Sequence, residues 1–372
     1  MSNIILQTLE GRKTDRVPVA PFINVNYVDE FFGQTGMDPV EKTIEVYDRF
    51  GFDIIFRNST SDHLNEKHAS GPEWHVQQQR EDVVPEKEYN IVTTVTTPQK
   101  VLRQVKQYRR NSPFEIVEAH SEYFIKDEDD FRQFVKYQPP VPEYDNSNTR
   151  RARELLGKRG CIAPWVQGVF NMVSMYRKLD DLLVDAYVSP HFYNEMMDYF
   201  SQRVIAVLRQ YKDNGAEMVS CGGNVAAGGV VGASYFKEYI CGHEAAFFAK
   251  INDMGLHSIY HNCGDAAHLM PLYESIGMHM YESLTPPPYG DTDLAYALET
   301  MPKHITLSGG FDQITLLREG TPDQIDDQVK KMMSLVKKRG NFIMAATDYF
   351  NENTSEEKVD AFAQAARKYG EY

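Results

Sequence analysis

Residues 260–265 of this 372-residue chain read YHNCGD, with His261 and Cys263 two positions apart. Side chains of an extended chain alternate with period two, so both point to one side and can reach one ion. An imidazole nitrogen and a thiolate are donors that zinc takes. The same pair also fits the buried end of a strand, where His and Cys serve as packing residues. Three other runs finish on groups of related chemistry: Cys221 ahead of GGN with Asn224, Glu282 in YES, and Asp348 in MAATD. Gathered at one end of a sheet, an imidazole, a thiolate and a carboxylate make a zinc first shell with one position open for substrate. The competing assignments are a helix-capping Asp348 and a packing Cys221. In DIIFRNSTSD stand Arg57, Asn58 and Asp62, and Arg57 serves either as a clamp for an anionic substrate or as a structural ion-pair partner. Glu217 stands at the beginning of its apolar run, which is the wrong end for chemistry.

These groups need elements that bring them together. Helical stretches repeatedly end at glycine and give way to a short apolar run: FGFDIIF, RGCIAPW, NGAEMVS, MGLHSIY, IGMHMYE and RGNFIMA. Glycine suits the position just past a helix end, and runs apolar on both faces read as buried parallel strands. RVPVAPF (16–22) and HITLSGG (304–310) complete eight strands alternating with helices, which predicts a (β/α)8 TIM barrel, with a doubly wound sheet as the alternative. The helix signals are explicit, as in Ser189–Pro190 before a helix closed by Gly215 and Thr321–Pro322 before one closed by Gly340. Residues 60–158, between the second and third strands, read as an insertion with hairpins and helices, and 139–150 as a linker back to the barrel. Barrel sites gather at the carboxyl ends of the strands. That rule favours His261, Cys263, Asp348 and Cys221 as ligands, and places the metal at the barrel mouth rather than in the insertion.

Composition narrows the function classes. A net charge of −14 without a basic stripe argues against nucleic acid. No run of about 18 apolar residues offers a membrane span, and the N-terminus lacks a signal-like segment. Four scattered cysteines do not make a disulfide framework, so the expected setting is the cytoplasm. The oligomeric state, a homodimer included, is left open.

GRKTDRVPVAPF resembles the opening of the uroporphyrinogen decarboxylase superfamily, and the succession GAEMVSCGGN, HNCGD, HITLSGGFDQ and FIMAATDYFNENTSEEKV is similar to it over nearly the whole chain. The resemblance implies one barrel domain over 1–372 and either porphyrinogen decarboxylation or cobamide-dependent methyl transfer. True decarboxylases carry an Arg-Gln-Ala-Gly-Arg-like segment after the first strand, whose arginines hold substrate carboxylates. Here that stretch is INVNYVDEFFG, without arginine. The methyltransferase branch shows His-x-Cys ending the fifth strand and a second Cys ending the eighth, together binding zinc. His261 and Cys263 match the first half, and counting back from Thr354 the second Cys falls on Asp348. A carboxylate in place of a thiolate leaves a harder zinc, better suited to Lewis-acid work than to activating a thiol. For this chain the resemblance therefore implies zinc-dependent transfer of a methyl group from a small methylated substrate, such as an aryl methyl ether, to the cob(I)amide of a separate corrinoid protein. The alternatives are a decarboxylase of another small acid, with Asp348 or Asp62 handling the proton and Arg57 holding the carboxylate, and a non-catalytic barrel that binds a corrinoid or porphyrin.

Overall fold

The computed structural model describes residues 3–33 and 36–372. The chain divides into two compact units, the first made of the chain up to Thr60, Asn146–Gln167 and Tyr211–Tyr372. In this unit Trp165–Gln167, Met218–Gly222, His257–His261, Met280–Leu284, Thr306–Gly309 and Phe342–Ile343 are consecutive parallel neighbours. Ile54–Phe56 pairs in parallel with Gly160–Ile162. Pro164, which has no N–H to give, splits the third strand into 160–162 and 165–167, and its carbonyl accepts from Ser220 N at 3.0 Å.

The first expected strand carries Pro18 and Pro21 and so makes only the parallel bridge Val19 to Met344. Its backbone still joins both neighbours. Met344 N donates to Pro18 O at 2.8 Å, Ala20 N to Met344 O at 2.9 Å, and Asp53 N to Val19 O at 2.8 Å. The circuit of parallel neighbours thereby closes through eight strand positions, and the fold is a (β/α)8 barrel. Connecting helices carry the signals read from sequence: Pro322–Arg339 opens with a capping box between Thr321 and Gln324, and Pro39–Phe50 ends on Gly51 in the left-handed conformation.

Inside the barrel, Ala20, Ile55, Ala163, Met218, Ile259, Met280 and Ile343 form one buried apolar cluster, joined by Ile5 and Leu9 of the helix Ile4–Leu9. Full burial of a large aliphatic side chain is worth roughly 1.5–3 kcal/mol, so this layer anchors the strands whose next inward residues are polar.

The second unit comprises Ser61–Asp145 and Gly168–Gln210. Its antiparallel sheet runs His75–Val84, Glu88–Thr96, Val101–Arg110, Ile116–Glu122 in sequence order. Unlike the insertion read over 60–158, this unit ends its first stretch at Asp145 and recruits most of the helix Pro190–Asp213. The physical reason is aromatic packing. Phe192 and Tyr199 meet Phe131 at ring separations of 5.8 and 5.6 Å, and Phe200 meets Phe134 at 6.0 Å. Among the described residues no helix is long and apolar enough to cross a membrane.

Candidate metal centre

Two residues further along most strands of the apolar layer lies the layer that can do chemistry. Ala20 leads to Phe22, Ile55 to Arg57, Ala163 to Trp165, Met218 to Ser220, Ile259 to His261 and Met280 to Glu282. Two strand residues advance about 6.6 Å and restore the same facing. The site therefore rests directly on the packed core, toward the carboxyl ends of the strands.

His261, Cys263 and Asp348 form the centre of this layer, with one ligand atom from each lying within 4.8 Å of the others. A tetrahedral ion with bonds of about 2.0–2.3 Å spaces its ligand atoms by roughly 3.5 Å, so a small inward adjustment lets the three hold a divalent cation. The donor set of one nitrogen, one sulfur and one oxygen is compatible with zinc and leaves a coordination position free. His261 is 2 % exposed. Its Nδ1 lies 2.9 Å from Glu282 Oε1, Ser283 Oγ stands 3.1 Å from Nδ1 and 3.4 Å from Nε2, and Nε2 lies 3.8 Å from Asp348 Oδ2. Asn224 Nδ2 donates to Cys263 Sγ at 3.4 Å. Burial works against charge on His261, but Asp348, Cys263 and Glu282 outweigh it and push its pKa up to about 10. For Asp348, enclosure raises the pKa and His261 opposes that shift.

Behind the imidazole stands a buried ion pair. Arg57, 4 % exposed, donates through Nη1 and Nη2 to the two carboxylate oxygens of Glu282 at 2.9 and 2.6 Å, and through Nη1 to Ser220 Oγ at 2.6 Å. The Phe22 ring lies 4.7 Å from the guanidinium carbon. Burial raises the Glu282 pKa, but Arg57 and His261 outweigh it and hold the carboxyl below its usual range. Arg57 is thus spent on a protein carboxylate, and the reading of it as a substrate clamp is replaced by its role as an ion-pair partner.

Residues 128–369 match the family described as Uroporphyrinogen decarboxylase (URO-D). The chain belongs to the URO-D family. Among solved structures, a methyltransferase from Methanosarcina mazei superposes with a TM-score of 0.72 at 13 % identity, covering 98 % of this chain and 97 % of the other. A B12-independent methionine synthase from Shewanella sp. W3-18-1, in complex with selenomethionine, gives a TM-score of 0.48 at 11 % identity over 89 % and 86 % of the two chains. No curated protein matches by sequence.

The remaining candidates of this URO-D chain fall elsewhere. Cys221 is fully buried and outside the metal-competent group. Met218 and Ser220 turn into the barrel, so alternation sends Cys221 to the helix side, where burial and then Glu244 of the helix Cys241–Asp253 push its pKa well up. It is a packing thiol rather than a ligand. Asp62 belongs to the second unit, where it is exposed, accepts from Asn65 Nδ2 at 2.9 Å and lies 3.2 Å from His68 Nε2. It too is outside the group. Asn58 donates to Ile23 O and Thr43 Oγ1, a structural tie to the end of the first strand and to the helix Pro39–Phe50. Glu217 pairs with Arg153 and accepts from Ile162 N at 3.1 Å. The arginine-free stretch after the first strand forms the helix Val25–Phe32, capped by Asn24. Ser220, Ser283, Phe22 and Trp165 escaped the reading of strand ends; stepping by two from the apolar layer would have flagged all of these except Ser283.

Proposed function

We propose that this URO-D family member is a zinc-dependent methyltransferase that takes a methyl group from a small methylated substrate, an aryl methyl ether being the leading class, and passes it to the reduced corrinoid of a separate protein. The observation that carries the reading is the His261–Cys263–Asp348 group, with Nδ1 of His261 engaged from behind by Glu282. When bound, zinc would supply Lewis acidity toward the heteroatom that the methyl group leaves. Asp348 in place of a second thiolate favours that task over activation of a thiol.

The chain's own residues define the rest. Glu282 engages Nδ1 of the imidazole and so directs Nε2 toward Asp348, and Asn224 steadies the Cys263 sulfur. Phe22 and Trp165 stack nearly parallel at 6.2 Å, Tyr349 meets Phe22 edge-on at 5.9 Å, and Trp165 meets the His261 ring at 5.2 Å. Such a wall suits an aryl group and excludes water. The commitment of Arg57 to Glu282 weighs against the decarboxylase reading, which needs a free cation for a carboxylate.

The test is incubation of zinc-loaded protein with cob(I)alamin and a panel of methylated donors, following the cob(I)alamin absorbance. Loss of that absorbance with an aryl methyl ether, abolished in His261→Ala, is the expected result. Protein that carries no metal, or that carries it and demethylates no donor, would defeat the proposal.

A further inference from the structure

The second unit holds a cavity of about 420 Å³ of its own, floored by one face of its antiparallel sheet and bordered by Leu64 and Met175. The residues facing it stand in ranks across the strands. Gln78, Thr93 and Gln104 lie in register, then Arg80, Ile91 and Lys106, then Tyr89 beside Tyr108. An antiparallel sheet ordinarily turns apolar side chains to a face closed off from water, yet Thr93 and Gln104 on this face are only 2 and 3 % exposed. Buried polarity of this kind is the informative departure.

What these groups leave unengaged describes a ligand. Gln104 gives Nε2 to Met175 O at 2.9 Å, and among the described residues no donor meets its Oε1. Arg80 lies 3.7 Å over the Tyr89 ring and gives Nε to Asp82 at 2.8 Å, so among the described residues neither Nη group has a protein acceptor. Tyr89 stacks on Tyr108 at 4.9 Å from the other side, which leaves it a ring edge to offer the cavity. The carboxylates at hand are committed, Glu118 to Lys106 and the Tyr108 hydroxyl, Asp62 to Asn65 and His68.

We propose that this sheet face binds a small hydroxylated aromatic carboxylate, at a site that shares no residue with the metal centre. The two free Nη groups of Arg80 match a carboxylate in a two-pronged grip. The Tyr89 edge, Ile91, Leu64 and Met175 suit the ring, and Gln104 Oε1 accepts the hydroxyl proton. Arg80 and Gln104 stand one rank and two strands apart, roughly 12 Å between backbones, a span that their inward-reaching side chains shorten to the length of one substituted ring.

The experiment titrates 4-hydroxybenzoate calorimetrically into the full chain and into its His261→Ala variant. Binding that persists in His261→Ala is expected, because the metal centre takes no part. Arg80→Met should weaken it at least about tenfold, the loss expected for a charged hydrogen-bonding group, and the half-exposed Arg80 side chain makes this a mild substitution for the fold. Two further probes of the unaltered chain need no variant: 4-hydroxybenzamide, which lacks the charge, and benzoate, which lacks the hydroxyl, should each bind at least about tenfold more weakly than 4-hydroxybenzoate. Arg80→Met should bind the acid and the amide alike. No binding of 4-hydroxybenzoate to His261→Ala, undiminished binding to Arg80→Met, or equal affinity of the unaltered chain for the acid and the amide would overturn the proposal and leave the metal-centre reading untouched.

Discussion

His261 turns Nε2 toward Asp348, whose Oδ2 lies 3.8 Å away, and does so while the ring is buried and its other nitrogen is held by Glu282. Without a metal, this geometry is an imidazolium between carboxylates. Burial disfavours the charge, yet Asp348, Cys263 and Glu282 prevail and bring the pKa to about 10. A proton and a metal ion are alternatives at the same nitrogen.

The first prediction follows from that competition. Near neutral pH, below the His261 pKa, the proton is present before metal arrives, so zinc uptake must release it. Apparent affinity should strengthen as pH rises and level off as pH passes about 10. An indicator dye in weakly buffered solution reads the released proton directly. Zinc uptake without proton release would contradict the assignment of Nε2 as a ligand atom.

Removal of the ligands should rank them. His261→Ala and Cys263→Ala are expected to lose zinc beyond the roughly 10–100-fold weakening typical of outer-shell changes, measured by elemental analysis after dialysis. Asp348→Ala should lose less, because water replaces a carboxylate at zinc more readily than it replaces a thiolate. Each variant should remain folded, at a cost of about 1–2 kcal/mol. Full occupancy in the His261 and Cys263 variants would reduce YHNCGD to the end of a strand.

The thiols should separate by reactivity. Cys161 and Cys221 are fully buried, Cys241 is 8 % exposed and bonded to Ser275, and Cys263 is partly open. Burial pushes Cys161 up to about 12 and Cys221 well above the ordinary thiol range, so both stay neutral and unreactive at mild pH. One fast alkylation event is expected, mapping to Cys263 by mass spectrometry and suppressed by prior zinc loading. Fast labelling of Cys221, or no protection of Cys263 by zinc, would contradict the placement.

Much of this arrangement is legible in the sequence because it depends on local rules. The run MGLHSIYHNC locates the fifth strand through its preceding helix end, and strand-end logic then selects His261 and Cys263. The parity of Cys221 is not legible, since one residue's uncertainty in where Met218–Gly222 begins reverses which side chains face inward. Nor is the fate of Arg57, whose partner Glu282 lies 225 positions away; the residue types permit a clamp or an ion pair, and only the closed barrel decides. The broken first and third strands follow from Pro18, Pro21 and Pro164, whose missing N–H groups are visible in sequence while their compensating neighbours are not. The second unit's claim on Pro190–Asp213 arises from ring contacts with Phe131 and Phe134 that no periodicity encodes.

Ser283 offers the last prediction, because its backbone is held at φ 72°, a region that favours glycine. The pairing register slips between Tyr281 and Leu284 at this point, and the facing Gly309, itself at φ 105°, has no room for a side chain: an added Cβ would stand 2.9 Å from Leu284 N. The slip puts Ser283 Oγ within 3.1 Å of His261 Nδ1, beside Glu282. A left-handed non-glycine residue costs roughly 1–2 kcal/mol, so Ser283→Gly should hold or raise the melting temperature while weakening zinc binding by up to about tenfold through the lost hydroxyl. Ser283→Ala keeps the backbone strain and loses the same hydroxyl, and should match the glycine variant in zinc affinity while melting lower. Equal melting temperatures for the two, with wild-type zinc affinity in both, would show that the bend at Ser283 serves the strand rather than the metal centre.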